Sequence, residues 1–185
     1  EELEAGIEKL VTLLNDQPVH ALVNNAGISP KRENGDRLDT LTTDLSIWAE
    51  VLQVNLLAPA LLTRRLTKSL QKGQGAVVNV TSIAGTRVHR FAGPAYAASK
   101  AALSTLTREL ASDLGNLGIR VNAVSPGEIK TEMLSLATAN EMIHDIPLHR
   151  LGDVEEVASA IYFLCCGSAS YINGAEIEIN GGQHV

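Results

Sequence analysis

Cysteine is scarce in this sequence, because the 185 residues contain only two, Cys165 and Cys166, and these are neighbours. Adjacent cysteines rarely reach disulfide geometry, so a fold stabilised by disulfides is excluded. The cysteines and the five histidines show no spacing typical of metal ligands, and we predict no metal site. Two reduced thiols on a helix are typical of a cytoplasmic protein, which is the location that we expect.

Positive charge and long apolar runs are also lacking. Lysine and arginine number 15 against 21 aspartate and glutamate residues, which gives a net charge of −6 without any basic stripe. A nucleic-acid-binding surface needs such a stripe, so this class of partner is excluded. No apolar run approaches the roughly 20 residues that cross a bilayer, and no signal peptide is recognisable, so we expect no membrane partner.

What the sequence does contain is an alternation of short apolar runs and helical periodicities, in a composition that is 45% hydrophobic. Short apolar strands that alternate with helices predict an α/β fold, in which helices cover both faces of a parallel sheet. Because no repeat or linker interrupts this pattern, we predict a single domain over residues 1–185. The predicted helices are 1–15, 45–70, a helix that contains Tyr96, and 154–165, and the predicted strands are 19–25, 76–80, 119–124 and 175–179.

Two of the predicted helices carry capping signals at their starts. Thr42 or Thr43 is the expected N-cap of the helix that begins at Leu45. Asp153 and Glu156 have the spacing of a capping box at the start of the last helix.

Small polar residues, glycine and proline follow three of the predicted strands, at positions 24–27, 81–82 and 125–127. In open α/β sheets, ligands bind beyond the carboxyl ends of the strands. The sequence therefore predicts a ligand site where these three segments meet.

Tyr96 and Lys100 lie four residues apart in a helix that is otherwise rich in alanine and leucine. Residues at this spacing share one helix face, so both side chains can point into one crevice. A lysine cation is expected to lower the tyrosine pKa from about 10, which suits a general acid/base acting on an alcohol or ketone oxygen. The preceding strand delivers Ser82 to the same crevice as a second hydroxyl. Alternatively, Tyr96 caps the core and Lys100 is a solvated surface charge.

Six short motifs run through the sequence: NNAG (24–27), VNL (54–56), VVNVTSIAG (77–85), YAASK (96–100), IRVNAVSPG (119–127) and GAEIEINGG (174–182). In order and spacing they resemble the short-chain dehydrogenase/reductase family across almost the whole chain. The resemblance implies a Rossmann-type, doubly wound parallel sheet. It also implies hydride transfer between NAD(H) or NADP(H) and a ketone or alcohol, with the choice between NAD and NADP undetermined.

The resemblance places four catalytic residues in this chain, at Asn55, Ser82, Tyr96 and Lys100. It implies that Tyr96 exchanges a proton with the substrate oxygen, that Ser82 orients this oxygen, and that Lys100 lowers the Tyr96 pKa and binds the nicotinamide ribose. Asn55 is expected to hold a water that relays protons to Lys100. Without the family spacing, the alternative interpretation is that Ser82 is a turn residue and that Asn55 is an ordinary polar residue in a helix.

The same resemblance implies coenzyme and substrate contacts. The expected coenzyme-binding residues are Asn24, Ala26, Gly27, Tyr96, Lys100, Pro126, Gly127, Ile129 and Thr131. The expected substrate-binding residues are Ser82, Ile83, Val88, Tyr96, Glu128 and Met133. Some of these positions also suit plain turns, since small residues and proline punctuate loops.

Pro59 stands four residues after Asn55 in the same predicted helix. Proline has no N–H, so the main-chain carbonyl of Asn55 loses its helical partner and needs another donor. We hypothesise that Pro59 frees this carbonyl for the water relay. The alternative is a simple kink that fits the helix to the sheet.

The family's glycine-rich phosphate loop is absent from this sequence, which begins on the helix before the NNAG strand. We therefore expect these residues to be part of a longer chain that supplies the first strands and the phosphate loop. The amino-acid sequences of the motifs are similar to those of 3-oxoacyl-carrier-protein reductases and of sugar or polyol dehydrogenases. The expected partners are a small carbonyl or alcohol substrate and further copies of the chain, as a homodimer or homotetramer. The alternative function is a truncated, non-catalytic relative that acts as an oligomerisation or binding module.

Overall fold

Four parallel strands form a single sheet in the computed structural model, which describes residues 2–130 and 142–185. The strands are β1 (Ala21–Asn24), β2 (Ala76–Val80), β3 (Arg120–Pro126) and β4 (Glu176–Ile179), and they lie side by side in this order. In register, Asn24 lies beside Asn79, and Val80 lies beside Val124. Because every pair is parallel, all the carboxyl ends reach one edge of the sheet, as the sequence predicted.

Within the described residues, five α-helices flank this sheet, and all four predicted helices are present. They are α1 (Glu2–Leu14), α2 (Leu45–Leu52), α3 (Ala58–Gly73), α4 (Pro94–Leu114) and α5 (Val154–Cys165). The predicted helix 45–70 corresponds to α2 and α3 together, which are joined by a π-helical segment at Gln53–Leu57.

Apolar side chains pack on both faces of the sheet, because successive residues of a strand point to opposite sides. Val77 of β2 contributes to a core with α3 and α4, whereas its neighbour Val78 contributes to a core with α5. The first core contains Leu66, Leu70, Val77, Ala111, Ile119 and Val121. The second contains Val78, Val80, Val124, Leu164 and Ala169.

The predicted N-cap of α2 is wrong by one or two residues, since Asp44 holds this position with an extended backbone. The two threonine hydroxyls are engaged in the preceding turn instead. Thr42 donates to the Asp39 carboxylate at 3.0 Å, and Thr43 donates to the Asp39 carbonyl. Local hydrogen bonds within the preceding turn therefore engage the two hydroxyls that were predicted to cap the helix.

The predicted capping box of α5 is confirmed. The Asp153 N–H donates to Glu156 Oε2 at 2.8 Å, and the Asp153 side chain accepts from the backbone N–H of Glu156. Arg150 donates to both carboxylate oxygens of Glu156 at 2.7 Å. The hydrogen bonds from Arg150 lower the Glu156 pKa to about 2.

The π-helical segment lies where the sequence places Asn55 and Pro59. The Ala58 N–H donates to the Gln53 carbonyl, five residues earlier, and Pro59 follows at the start of α3. Proline cannot supply the N–H that a regular helix would direct to the Asn55 carbonyl, and π-bulges of this kind are frequent at functional sites. The continuous helix is thus interrupted at the residue to which the sequence assigns a role.

The helix spanning 45–73 is, by length and mean hydropathy alone, long and apolar enough to cross a membrane. Core helices of soluble proteins pass the same test, so this finding carries little weight.

Cys165 and Cys166 are free thiols. No group of histidine, cysteine and acidic residues able to hold a metal occurs in the part of the chain that the structure describes.

Candidate active site

Ser82 lies two residues beyond the end of β2 and opens a short 3₁₀ turn, Ile83–Gly85. Its backbone is extended, and its Oγ accepts a hydrogen bond from the Ala84 N–H at 3.2 Å. The Ser82 side chain also lies within hydrogen-bonding reach of the Tyr96 side chain, and this interaction acts to lower the Tyr96 pKa. The turn thus holds Ser82 against the first turn of α4, where Tyr96 lies.

Lys100 is buried, with 3% of its surface exposed, although it carries an ammonium group. Its Nζ donates to the Val80 carbonyl at 2.7 Å and lies 5.6 Å from the centroid of the Tyr96 ring. A solvated surface charge, the alternative that the sequence left open, does not describe this side chain. Burial disfavours the charged form and lowers the Lys100 pKa to about 8.

The predicted lowering of the Tyr96 pKa is wrong for this structure. Burial of the phenol raises the Tyr96 pKa above 10.0, the hydrogen bond from Ser82 opposes this rise, and the charge of Glu128 adds to it. Lys100 is not among the groups that shift the Tyr96 pKa; its ammonium donates to the Val80 carbonyl and lies 5.6 Å from the centroid of the ring. The phenol therefore keeps its proton through the neutral range and is poised as an acid.

We expect the buried Lys100 to make stability depend on pH. The folded pKa of about 8 lies below the ordinary value of 10.5, so between these values the unfolded chain binds more protons, and the free energy of unfolding should rise with pH. Chemical denaturation at several pH values measures this rise. Lys100→Met should flatten the curve, whereas Lys68→Met, at an exposed position, should leave it unchanged. The same rise in both variants would contradict the assignment to Lys100.

Asn55 is fully buried and uses its side chain as a clamp between two segments. Its Oδ1 accepts from the Ile28 N–H at 2.8 Å, and its Nδ2 donates to the Ile28 carbonyl at 3.0 Å. The same Nδ2 donates to Ser99 Oγ at 3.0 Å, and Ser99 in turn donates to the Tyr96 carbonyl at 2.7 Å. Asn55 therefore ties the loop after β1 to the helix that carries Tyr96.

The NNAG segment brings small, exposed residues to this cluster. Ala26 and Gly27 are exposed, and a Cβ added to Gly27 would lie 3.3 Å from Lys100 Nζ and 3.4 Å from Asn55 Oδ1. Asn24, by contrast, is buried and donates from Nδ2 to Asn79 Oδ1 at 2.8 Å. Ala26 and Gly27 are thus open to a ligand, while the Asn24 amide binds within the fold.

Pro126 ends β3, and Gly127 follows it in close contact with the chain after β4. The Gly127 N–H donates to the Ile179 carbonyl at 3.0 Å, and a Cβ at Gly127 would come within 2.6 Å of the Asn180 Cβ. Only glycine fits this approach without movement. Ile129 forms a bridge with Gly152. Two further predicted residues, Thr131 and Met133, lie outside the described residues.

The predicted substrate-binding residues divide into three kinds. Ile83 is 1% exposed and belongs to the core, whereas Val88 is 85% exposed. Glu128 is partly buried and pairs with His89, at 2.6 Å between Oε1 and Nε2. His89 is not among the predicted site residues, because its partner lies 39 residues away and no local spacing signals the pair.

Ser82, Tyr96 and Lys100 thus come together at the carboxyl edge of the sheet, beside the exposed Ala26 and Gly27. Two hydroxyl groups can hold one carbonyl oxygen, and a protonated phenol can donate to it. An ammonium group has three N–H donors, and the Val80 carbonyl takes one of those on Lys100. The remaining donors suit the hydroxyls of a ribose, so the cluster fits a nicotinamide nucleotide.

Comparison with known proteins points in the same direction. The family model described as enoyl-(acyl carrier protein) reductase matches residues 1–184. Protein FixR of Bradyrhizobium diazoefficiens is 54% identical over 183 residues, which cover 99% of this chain and 66% of that protein. A galactitol 2-dehydrogenase (L-tagatose-forming) of Cereibacter sphaeroides is 38% identical over 176 residues, which cover 91% of this chain and 66% of that protein. The chain therefore spans about two thirds of the length of these curated relatives.

Solved structures agree on the fold and on the class of coenzyme. An oxidoreductase of the short-chain dehydrogenase/reductase family from Brucella ovis, in complex with a partially ordered NAD, has a TM-score of 0.79 to this chain. It is 50% identical in sequence, and the match covers 96% of this chain and 73% of that one. The predicted Rossmann-type sheet is confirmed, as is the predicted class of nicotinamide-dependent oxidoreductase at the level of the family. The chain belongs to the short-chain dehydrogenase/reductase family.

Proposed function

We propose that this protein is an NAD(P)-dependent oxidoreductase that interconverts a ketone and an alcohol, with Tyr96 as the general acid and base. The observation that carries the proposal is the hydroxyl pair of Ser82 and Tyr96 beside the buried ammonium of Lys100. When bound, the coenzyme supplies or accepts the hydride. The protein holds the substrate oxygen and moves its proton.

Each residue of the cluster has a separate task in this proposal. Ser82 donates a hydrogen bond to the substrate oxygen and orients it. Tyr96 gives its proton to that oxygen during reduction and takes a proton from the alcohol during oxidation. Lys100 binds the ribose with the N–H donors of its ammonium group that do not bond to the Val80 carbonyl. Asn55 holds the loop at Gly27 against Lys100.

Turnover assays with both coenzymes test the proposal. Purified protein should change the nicotinamide absorbance of NADH or NADPH in the presence of a ketone, or of NAD⁺ or NADP⁺ in the presence of an alcohol. Coenzyme titration then identifies the preferred nucleotide. A protein that binds neither coenzyme and turns over no carbonyl compound would be the non-catalytic module, and the proposal would be wrong.

Oligomer formation is part of the proposal. The outer side of the helix spanning 45–73 leaves Leu45 86% exposed and Leu57 50% exposed, and such apolar residues are suited to contact another copy of the chain. A homodimer or homotetramer in the cytoplasm stays our expectation.

We also propose that Pro59 keeps the Asn55 main-chain carbonyl available to a water in a proton relay toward Lys100. Pro59→Ala restores the N–H that a regular helix directs to this carbonyl, so the relay should weaken and the pH dependence of kcat should flatten. Steady-state kinetics across the pH range measures this change. Pro18→Ala, at an exposed position outside the site, is the control. If both variants keep the wild-type profile, Pro59 merely bends the helix.

A further inference from the structure

A carboxylate and an imidazole form a sheltered pair beside the Ser82–Tyr96 cluster. Glu128 follows β3 at the carboxyl edge of the sheet, and His89 lies in the loop before α4. The atoms Oε1 and Nε2 are 2.6 Å apart, and the two side chains are 12% and 14% exposed, respectively. Burying an ionisable side chain costs free energy unless it is paired, and here each of the two groups offsets the cost of burying the other.

The hydrogen bonds of His89 fix where its proton lies. Its Nδ1 accepts from the Phe91 N–H at 3.2 Å, so in the neutral ring Nε2 carries the proton and donates it to Glu128 Oε1. Glu128 therefore accepts this hydrogen bond through Oε1. Its contacts with the described residues engage Oε1, which leaves Oε2 as an acceptor for a ligand.

The backbone of Glu128 is held on both sides. Its carbonyl accepts from the Gly152 N–H at 3.0 Å, and the next residue, Ile129, forms a bridge with Gly152. On the other side, Gly127 packs closely against Asn180. The carboxylate is thus fixed before any ligand arrives, and this saves the entropy of ordering it.

The charge of Glu128 reaches the reacting phenol. Burial is the largest cause of the raised Tyr96 pKa, and the Glu128 charge adds to it; the same charge opposes the lowering of the Lys31 pKa by burial and by Arg37. Among the described residues, His89, Lys31 and Tyr96 each interact with this carboxylate. A substrate whose oxygen lies at Tyr96 must place its neighbouring atoms within the same field.

We propose that Glu128, positioned by His89, determines substrate class: Oε2 accepts a hydrogen bond from a second hydroxyl of a neutral substrate, and the carboxylate repels acids. This inference rests on the proposed oxidoreduction. Like charges repel strongly where water is scarce, and a site built to accept from a hydroxyl disfavours a substrate without one. The chemical class is therefore a polyhydroxy alcohol or ketone rather than a carboxylic acid.

Hexitols and the hexonates of matching configuration, such as galactitol and galactonate, test this inference because they differ by one carboxylate. With the preferred oxidised coenzyme, kcat/KM of wild type should favour the hexitol by about tenfold or more. Glu128→Gln keeps an acceptor oxygen but removes the charge, so it should raise kcat/KM for the hexonate and reduce the preference by about tenfold. Glu155→Gln, at an exposed position of α5, should leave the preference unchanged.

His89→Phe tests whether His89 positions the Glu128 carboxylate or only stabilises the fold. It leaves the Glu128 charge in place without its donor, so the preference should fall while the thermal midpoint of unfolding identifies any loss of structure. An equal fall in kcat/KM for both substrates in Glu128→Gln, or an unchanged preference, would overturn the inference and leave the oxidoreductase proposal standing. Turnover confined to carbonyl compounds without a second hydroxyl would also overturn it. No turnover with any substrate or coenzyme would overturn both proposals.

Discussion

Replacing Tyr96 with phenylalanine should lower kcat by about 10²- to 10⁴-fold, the usual contribution of a positioned general acid or base. The substitution removes one oxygen and keeps the ring that packs beside Lys100. Because the phenol hydrogen bond to Ser82 is lost, the free energy of unfolding should fall by at most about 1.5 kcal/mol. Most of the folded protein therefore persists, and the loss of rate belongs to the chemistry.

The direction of the reaction should affect how Tyr96 responds to pH. Burial raises the Tyr96 pKa above 10.0, so the acid needed for ketone reduction is present throughout the neutral range. Alcohol oxidation needs the phenolate and should therefore accelerate as pH rises toward the alkaline side. Initial rates in both directions, measured against pH, check this difference.

Tyr171→Phe is the matched control for the loss of the Tyr96 hydroxyl. Tyr171 is fully exposed and lies outside the site, so its substitution should leave kcat and coenzyme affinity unchanged. If Tyr96→Phe retains more than a tenth of the wild-type kcat, another group supplies the proton. In that case the assignment of Tyr96 as the acid and base is wrong.

Replacing Asn55 with alanine should produce the largest loss of stability among the site residues. The side chain serves the Ile28 N–H, the Ile28 carbonyl and the Ser99 hydroxyl, and alanine leaves all three without this partner. Each unsatisfied buried group costs about 1–3 kcal/mol. Because water can reach part of the Ile28 backbone, we expect a total loss of about 3 kcal/mol in the free energy of unfolding.

The same substitution should also weaken coenzyme binding, since the loop at Gly27 lies against Asn55 and Lys100. Denaturant titration measures the stability, and KM for the coenzyme measures the state of the loop. Asn116→Ala removes an exposed amide and should change the free energy of unfolding by no more than about 0.5 kcal/mol. A loss below 1 kcal/mol in Asn55→Ala would contradict the clamp.

Local patterns in the sequence determined much of the fold. Alternating apolar runs and helical periodicities predicted a parallel sheet covered on both faces, and the capping box at Asp153 and Glu156 is present as predicted. These features depend on neighbours within a few residues, which is why the sequence contains them. The Thr42 or Thr43 cap failed because both hydroxyls bind Asp39, three and four residues earlier, within the preceding turn.

Six motifs in fixed order identified the family without coordinates, and the same motifs predicted the residues of the candidate site. Only the tertiary structure decided their physical state. It buried Lys100 and directed its ammonium to the Val80 carbonyl, and it buried the Tyr96 phenol, which raises the Tyr96 pKa instead of lowering it. It also paired His89 with Glu128 across 39 residues. Burial and electrostatic fields arise from groups distant in the chain, so local spacing cannot predict them.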